Sequence, residues 1–466
     1  MNKYTPIIGV EVHVELKTKS KMFCGCSADY FGKEPNTYTC PVCLGLPGAL
    51  PVPNKTAIEW CIKIALALGC KIANFSKFDR KNYFYPDLPK GYQISQYDLP
   101  FGSQGNIELK NGKKIRIRRV HMEEDTAKLT HQFGTQNSKL KTQNDEKISL
   151  IDFNRSGVPL VEIVTEPDFA SASDVKEYLQ KLQQIVRDLD VSNADMEKGD
   201  MRLEPNISLK QLLPNNPLLL GEGGGGVSGN DNNLPPYKVE VKNINSFSFV
   251  EKAINYEIKR QSEILESGKT PAQETRGWNE NKGITFSQRV KEEANDYRYF
   301  PDPDLPPIKH TESQINNLKA ELPELQEEKI TRFAKEYGIS DYDAEILSRD
   351  KATAKLFEDA VEADKEKNVS PKQIANYIIN KKISHADHSP NSLISLIVNA
   401  NTTVQIDEGE LQKIIDQVIK DNPKAVLDFK KGKESVIMYL LGQVMRQFKQ
   451  KIDAQIVRKK LESCLR

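Results

Sequence analysis

The sequence predicts an α+β fold, in which a strand-rich N-terminal domain precedes an all-helical domain and a small helical tail domain. Apolar and polar residues alternate over short stretches of the first part, which is the period of β-strands. A proline-rich stretch, 301–307, ends this part. Beyond it Glu, Lys, Leu and Ala dominate, and the apolar period becomes helical. We therefore expect domains at 1–305, 306–400 and 401–466.

The composition excludes several classes of protein. Of the 466 residues, 38% are apolar and 28% are charged, so the chain is neither collagen-like nor wholly disordered. No stretch approaches the roughly 18 apolar residues that a membrane helix needs. The first residues lack the apolar segment of a signal peptide, which predicts a cytoplasmic protein without membrane contact. The 66 basic and 65 acidic residues exclude a globally basic nucleic-acid binder but allow a local basic patch.

The individual elements follow from periodicity and from capping signals. Residues 7–17 alternate in part and predict a strand. Residues 54–68 predict a helix, because Asn54 suits its N-cap position. Residues 107–120 predict a β-hairpin, whose central Asn-Gly pair is typical of a type I′ turn. Apolar stripes predict further helices at 172–189, 247–266, 407–420 and 435–448. A capping-box residue and a proline in the first turn predict a helix start at Ser370.

A Gly/Asn/Pro-rich segment interrupts the strand-rich part at 214–236. A loop that cradles phosphates needs a strand before it and a helix or a Lys-Ser/Thr pair after it. Here the strand-like residues 237–241 follow instead. The segment is therefore predicted to be a flexible insertion that joins two strands.

Four of the seven cysteines lie close together, as Cys24 and Cys26 followed by Cys40 and Cys43. An odd number of cysteines without an export signal argues against a disulfide framework. Two close pairs separated by a short loop can supply four thiolates to a tetrahedral Zn²⁺, and the alternative is a set of incidental thiols. We favour a zinc knuckle over 24–43. Such a closed site is structural, since it offers no open position for catalysis.

A second group of residues combines histidine with carboxylates. Glu11 and His13 are two residues apart on a predicted strand, so both side chains leave the same face. The acidic stretch 121–125 follows the hairpin, and Glu162 lies within the apolar strand 159–164, where a charge needs a reason. A histidine with several carboxylates suits Mg²⁺ or Mn²⁺ and phosphate substrates. For each residue alone, the alternative is an ordinary surface charge.

Basic and aromatic residues form the third group. The stretch 110–119 holds six basic residues and no acidic one, and 79–93 and 296–304 interleave aromatic with basic side chains. Such mixtures contact phosphates and stack on bases or ribose. A basic hairpin taken alone is more often a solvated strand face.

Together these residues resemble a known family, the B subunits of the aspartyl/glutamyl-tRNA amidotransferases. The resemblance follows the family order across nearly the whole chain, and the phrase at 82–96 is long and specific. The matching phrases are 9–16, 81–96, 121–125, 154–167, 239–247, 295–307 and 422–441.

The resemblance implies a two-step enzyme with a catalytic cradle domain, a helical domain and a tail of the tRNA-binding type. The family uses ATP to phosphorylate the side-chain carboxylate of Glu-tRNA(Gln) or Asp-tRNA(Asn), and ammonia then displaces phosphate to give the amide. In the family an A subunit releases the ammonia from glutamine, and a small C subunit clasps its two partners. A carboxylate is inert to ammonia until its oxygen becomes a leaving group, and metal ions offset the charge of phosphoryl transfer.

The resemblance also implies roles for individual residues. The matching motifs would place four catalytic ligands at Mg²⁺: Glu11, His13, Glu124 and Glu162. They would place four more residues against the nucleotide or the aminoacyl end of tRNA: Lys81, Tyr83, Lys90 and Gln93. Spacing alone does not separate Glu123 from Glu124 as the ligand. Some family members lack the four cysteines, which supports a structural role for zinc.

The sequence departs from the family pattern at two places. The insertion 214–236 stands where the family has a short hairpin turn, and 392–405 is a shortened connection, which predicts a reduced helical domain.

Two alternative functions remain. A non-catalytic, zinc-stabilised RNA-binding scaffold would need only the knuckle and the basic hairpin, but a polyanion binder gains nothing from carboxylates near His13. A self-contained ligase lacks support, because no Ser-x-x-Lys or Cys-His pairing for glutamine hydrolysis is evident.

Overall fold

A computed structural model divides the chain into two compact units, Met1–Leu325 and Gln326–Arg466. It describes residues 3–132, 148–211, 234–290, 297–364, 369–381, 383, 386, 388–401, 408–433, 435–448 and 453–465. Among these residues no helix has the length and hydropathy needed to cross a membrane. The predicted insertion 214–236 lies outside the described residues except for its last three positions.

The first unit combines strands with four long helices in the described residues. Its strands are β1 (Tyr4–Glu15), β2 (Lys71–Ile72), β3 (Phe75–Ser76), β4 (Asp79–Asn82), β5 (Tyr92–Ser95), β6 (Gly102–Glu108), β7 (Lys114–Glu124), β8 (Lys128–Gln132), β9 (Ile148–Asp152), β10 (Pro159–Thr165), β11 (Met201–Gln211), β12 (Val239–Lys242), β13 (Glu274–Asn279), β14 (Ile284–Val290), β15 (Phe300–Pro301) and β16 (Ile308–Lys309). Its helices are α1 (Lys55–Ala67), α2 (Ala172–Asp188), α3 (Phe247–Glu266) and α4 (Glu312–Ala320).

A large sheet organises the first unit. Nine strands run in the order β14-β13-β12-β11-β1-β10-β7-β6-β2. Neighbours are antiparallel except β12 and β13, which are parallel. A smaller sheet of the same unit, β15-β4-β5, contains residues 79–82, 92–95 and 300–301. The predicted strand-rich region followed by helices is confirmed.

The two faces of the large sheet differ in chemistry because side chains alternate along each strand. On β1, Val10, Val12 and Val14 are buried in a core that also contains apolar residues of α1, α2 and α3. The intervening residues, Glu11 and His13, therefore leave the opposite face. Helices cover one face of the sheet, and the other carries the polar side chains.

Most of the helices predicted from local capping and periodicity signals are present in the structure. Asn54 caps α1 by accepting a hydrogen bond from the backbone N–H of Ala57 at 3.2 Å. Helices α2 and α3 match their predicted ranges within one residue at each end. Among the helices of the second unit, those predicted at 407–420 and 435–448 are also present.

The predicted hairpin is present, but its turn is not of type I′. The Gly112 N–H donates to the Leu109 carbonyl at 2.8 Å, so Lys110 and Asn111 are the central residues. A type I′ turn needs positive φ at both central positions, whereas here the positive φ, +79°, belongs to Gly112. The type I′ prediction is wrong because the loop is one residue longer than the Asn-Gly signal implies.

The second unit is helical in all its described elements, and Ser370 and Gln373 cap the start of its fourth helix as expected. Its helices are α5 (Gln326–Tyr337), α6 (Asp341–Ser348), α7 (Lys351–Ala363), α8 (Pro371–Lys381), α9 (Pro390–Asn401), α10 (Glu408–Asp421), α11 (Pro423–Lys430), α12 (Val436–Gln447) and α13 (Ala454–Leu465). They form two separate cores, one from Phe333 to Ile397 and one from Leu411 to Leu465. Most of the predicted connection 392–405 belongs to α9, and its last four residues lie outside the described residues.

Candidate active site and metal centre

Strand register brings five polar side chains side by side on the polar face. His13 on β1 pairs with Glu162 on β10, and Glu162 pairs with His121 on β7. Glu11 pairs with Glu204 on the other side of β1. Residues that are far apart in sequence therefore become neighbours because antiparallel pairing aligns their side chains on one face.

The centre of the site is a compact cluster of imidazoles and carboxylates. Glu162 Oε2 lies 3.1 Å from His121 Nε2 and 3.6 Å from His13 Nε2. Glu123 Oε1 lies 3.6 Å from His121 Nε2, and Glu123 is 2% exposed. One ligand atom each from His13, Glu123 and Glu162 lies within 4.8 Å of the others. This group has the size and donor set of a divalent cation site.

The charges of this cluster are mutually dependent. Burial alone would lower the pKa of His13, but its hydrogen bond to Glu162 and the nearby carboxylates raise it to about 9. Burial would raise the pKa of Glu162, but the two imidazoles hold it well below its usual range. Burial would also raise the pKa of Glu123. The positive charge of Lys81 is the main reason that this pKa instead falls to about 2. A proton on His13 thus supplies positive charge that a metal ion could replace.

These pKa shifts predict a pH-dependent stability of the chain kept metal-free with a chelator. The pKa of His13 is higher in the folded than in the unfolded state, so its stabilising effect is complete below about pH 6.5 and is lost towards pH 9. His13→Gln should remove this contribution, of the order of 2 kcal/mol. Urea unfolding of both proteins at pH 6 and pH 9 measures it. An equal stability difference at both pH values would contradict the assignment.

A second carboxylate group lies beside the first. Glu11, Glu204 and Glu240 also bring one oxygen each within 4.8 Å of one another. Lys242 lies 3.0 Å from Glu204 and 3.3 Å from Glu240, and Asn206 donates to Glu11 at 3.0 Å. Burial, followed by the charges of Glu162 and Glu204, raises the pKa of Glu11. A cation would relieve this repulsion.

Both groups line one cavity of about 380 Å³ on the polar face. Among the residues expected to contact nucleotide or aminoacyl groups, Lys81, Tyr83 and Gln93 line it. Lys81 Nζ lies 3.4 Å from Glu123, and Gln93 donates to Glu123 at 3.1 Å. The cavity is also lined by Arg119, Arg202, Lys238, Lys242, Tyr297 and Tyr299.

Glu124 and Lys90 lie apart from this cavity. Glu124 is adjacent to Glu123 on β7, so its side chain leaves the opposite face of the strand. Its carboxylate binds Lys90 Nζ at 2.8 Å and accepts the backbone N–H of Ile94 at 3.0 Å. The structure therefore groups Glu123, rather than Glu124, with His13 and Glu162, and it places Glu11 in the neighbouring carboxylate group.

Sequence reasoning missed several residues of the cavity. Glu240 lies between Val239 and Val241 on β12, whose sequence VEVK alternates apolar and charged residues, so it resembles a charge on the solvent face of a strand. Glu204 is half-buried on the alternating strand β11, where nothing local distinguishes it from a surface charge. Only the pairing of β11 with β1 reveals its position.

The basic hairpin is less available than its sequence suggests. Arg116 forms two side-chain hydrogen bonds to Asp168, at 2.7 and 3.0 Å. Arg118 makes the same paired contact with Glu166, at 2.7 and 3.0 Å. These ion pairs offset the positive charges of Arg116 and Arg118, which the sequence analysis considered as phosphate contacts.

The four cysteines converge as the zinc hypothesis requires. The sulfur atoms of Cys24, Cys26, Cys40 and Cys43 all lie within 4.8 Å of one another. A tetrahedral ion with Zn–S bonds of about 2.3 Å separates its sulfur ligands by about 3.8 Å. The Cys40 and Cys43 sulfurs are 3.8 Å apart, so the group fits zinc. Hydrogen bonding from Cys24, against burial, lowers the pKa of Cys43 to about 4.

We expect about one zinc ion per chain and a loss of that ion in Cys40→Ser, because one missing thiolate opens a closed site. Residues 24–43 should then become more accessible to protease. The exposed Cys464, changed to Ser, is the matched control and should retain the metal. Less than about 0.2 equivalents of zinc in the unaltered chain would contradict the assignment.

Comparison with known proteins defines the class. Residues 6–316 match the family model described as the GatB/GatE catalytic domain, and residues 340–465 match the one described as the GatB domain. The chain is thus of the class that carries a GatB-type catalytic domain.

Named relatives define the family more narrowly. The B subunit of the aspartyl/glutamyl-tRNA(Asn/Gln) amidotransferase of Caldanaerobacter subterraneus subsp. tengcongensis is 44% identical over 498 residues, covering 97% of this chain and 98% of that protein. The proteins of the same name from Thermomicrobium roseum and Thermotoga maritima are 42% and 41% identical, each covering 99% of both chains. The chain belongs to the family of aspartyl/glutamyl-tRNA(Asn/Gln) amidotransferase B subunits, which confirms the resemblance of its motifs.

Proposed function

We propose that this chain is the part of a tRNA amidotransferase that converts Glu-tRNA(Gln), Asp-tRNA(Asn) or both into the amide. ATP phosphorylates the side-chain carboxylate, and ammonia derived from glutamine then displaces the phosphate. An A subunit supplies the ammonia, a C subunit completes the heterotrimer, and the reaction takes place in the cytoplasm. Family membership and the cavity on the polar face support this proposal.

The observation that carries the proposal is the pairing of acids with cations in one cavity. His13, Glu123 and Glu162 form a site of mixed nitrogen and oxygen ligands, with a second carboxylate group beside it. Lys81 and Arg119 line the same cavity. Phosphoryl transfer needs both, because a divalent ion must be held by acids while fixed cations face the phosphates.

The residues present fit Mg²⁺ in this role. His13, Glu123 and Glu162 would hold it, with Glu11, Glu204 and Glu240 as a neighbouring group of oxygen ligands. When bound, the ion would neutralise charge on the transferring phosphoryl group. Displacement of the imidazole protons would free the His13 nitrogen for coordination.

The chain's own side chains then orient the reactants. Lys81, held by Glu123 at 3.4 Å and 5.5 Å from the centre of the Tyr297 ring, presents its ammonium to the cavity. Tyr97 and Tyr299 stack at 4.4 Å, and an aromatic surface of this kind suits a base or ribose. We assign the roles of nucleotide and aminoacyl-end contacts to Lys81, Tyr83 and Gln93. Lys90 pairs with Glu124 outside the cavity, so we assign these two residues a supporting role in the fold.

The domain roles are part of the same proposal. We assign catalysis to the predicted domain 1–305, whose compact unit extends past that boundary to Leu325, and we keep a helical domain before residue 400 and a tRNA-binding tail at 401–466. The separate cores in the second unit support the division near residue 400.

The proposal is tested by co-expressing the chain with its partner subunits and supplying mischarged tRNA, ATP and Mg²⁺. Glutamine or ammonium should each yield amidated aminoacyl-tRNA, and the product should vanish without ATP. The two mischarged tRNAs, assayed separately, identify the substrate. Failure with both tRNAs and both nitrogen donors would refute the proposal. A non-catalytic RNA-binding scaffold is not favoured, because it would not concentrate carboxylates in a polar cavity.

A further inference from the structure

Lys21 is a buried cation that the proposed reaction leaves without a role. Its side chain is 0% exposed, although it ends in an ammonium group. The Nζ atom donates to the Tyr38 carbonyl at 2.8 Å and lies 3.4 Å from the Phe153 carbonyl and 3.6 Å from Cys43 Sγ. None of these partners is a carboxylate, and within the part of the chain that the structure describes Lys21 forms no ion pair with one.

A fully buried ammonium is costly unless a negative charge lies beside it. The carbonyls of Tyr38 and Phe153 satisfy its N–H groups, but they are neutral. Among its contacts only the sulfur of Cys43 can carry a negative charge. A negatively charged cysteine cluster would therefore offset the cost of burying Lys21. Four thiolates bound to a metal ion form such a cluster.

We propose that Lys21 is the buried counter-charge of a four-cysteine zinc centre, where its ammonium stabilises the Cys43 thiolate and slows the loss of the metal. Four thiolates around Zn²⁺ leave about two net negative charges, and Lys21 offsets part of this charge without being a ligand. This inference does not depend on the proposed reaction.

The position of Lys21 is set by backbone as well as side-chain contacts. Its N–H donates to the Cys26 carbonyl at 2.9 Å, next to the bridge between Ser20 and Ser27. One residue thus contacts both cysteine pairs, through its backbone and through its ammonium. Outer partners of metal ligands that are fixed in this way orient the ligand and strengthen metal binding.

The test compares two neutral variants in the full-length, zinc-loaded chain. Lys21→Met removes the charge and keeps a side chain of similar length, whereas Lys21→Gln retains an amide that can donate to the carbonyls. Lys19→Met is the matched control, since Lys19 is exposed two residues away. Zinc transfer to a chromophoric chelator should be at least about tenfold faster in both Lys21 variants and unchanged in the control. Transfer within about twofold of the unaltered rate in variants that still fold would overturn the proposal.

A spectroscopic readout separates the charge from a purely structural role. With Co²⁺ in place of zinc, the thiolate-to-metal charge-transfer band should move to lower energy in both variants, because the sulfur electrons lose a stabilising positive charge. An unmoved band in a folded variant would contradict the proposal.

If neither variant folds, the unaltered chain tests the proposal through the NMR signal of its lysine ammonium groups. With nitrogen-15 lysine labelling, one slowly exchanging ammonium signal should be present with zinc and should change when the metal is removed. An ammonium spectrum indifferent to zinc would overturn the proposal.

Discussion

Glu162→Gln should reduce ATP-dependent amide formation by about 10²–10³-fold while leaving tRNA affinity within about twofold. Glu162 contacts both His121 and His13 and is 5% exposed. The glutamine has nearly the same shape, so the substitution removes a charge without opening a cavity. Single-turnover amide formation and filter binding of tRNA, measured on the same preparation, test this expectation.

The matched control is Glu166→Gln, four residues further along the chain. Glu166 pairs with Arg118 outside the cavity, so its variant should keep full activity. Unaltered turnover in Glu162→Gln would remove Glu162 from the site. Equal losses of binding and turnover, together with a lower unfolding midpoint, would show that Glu162 serves folding instead.

Glu123→Gln should also lower turnover by about 10²-fold or more, whereas Glu124→Gln should lower stability more than turnover. Glu123 lies in the cavity with His13 and Glu162, while Glu124 neutralises Lys90 on the other side of β7. Either substitution removes one partner of a buried ion pair, which costs about 3–5 kcal/mol of unfolding free energy, so turnover rather than stability separates the two variants.

Steady-state kinetics and urea unfolding of both variants, which differ by one position in the chain, decide between the two glutamates. A large loss of turnover in Glu124→Gln, with Glu123→Gln fully active, would reverse the assignment and place Glu124 at the reacting groups.

Much of the fold could be predicted because its signals are local. The Asn54 cap and the apolar stripe of α1 need only a few neighbouring residues to be recognised. The same holds for Glu162, since a charge in an apolar strand is visible in the sequence. The turn at Gly112 was mispredicted because its type depends on the register of β6 and β7, not on the Asn-Gly pair alone.

The remaining features of the site depend on long-range pairing. His121 and Glu123, two residues apart, must share a face of β7, but only pairing with β10 shows that this face carries the site. Glu204 becomes a neighbour of Glu11 only through β11. The proposed role of Lys21 could not be predicted from the sequence, because it depends on the burial of its ammonium against Cys43.

In the proposed reaction this chain transfers a phosphoryl group from ATP to the side-chain carboxylate of the aminoacyl group. The most direct test follows oxygen from that carboxylate. Mischarged tRNA carrying oxygen-18 in the side-chain carboxylate is converted by the complex with ATP and ammonium, and the inorganic phosphate is analysed by mass spectrometry. One labelled oxygen should appear in phosphate for each amide formed, because phosphate leaves with a carboxylate oxygen. Amide formation with unlabelled phosphate would contradict phosphoryl transfer to the carboxylate.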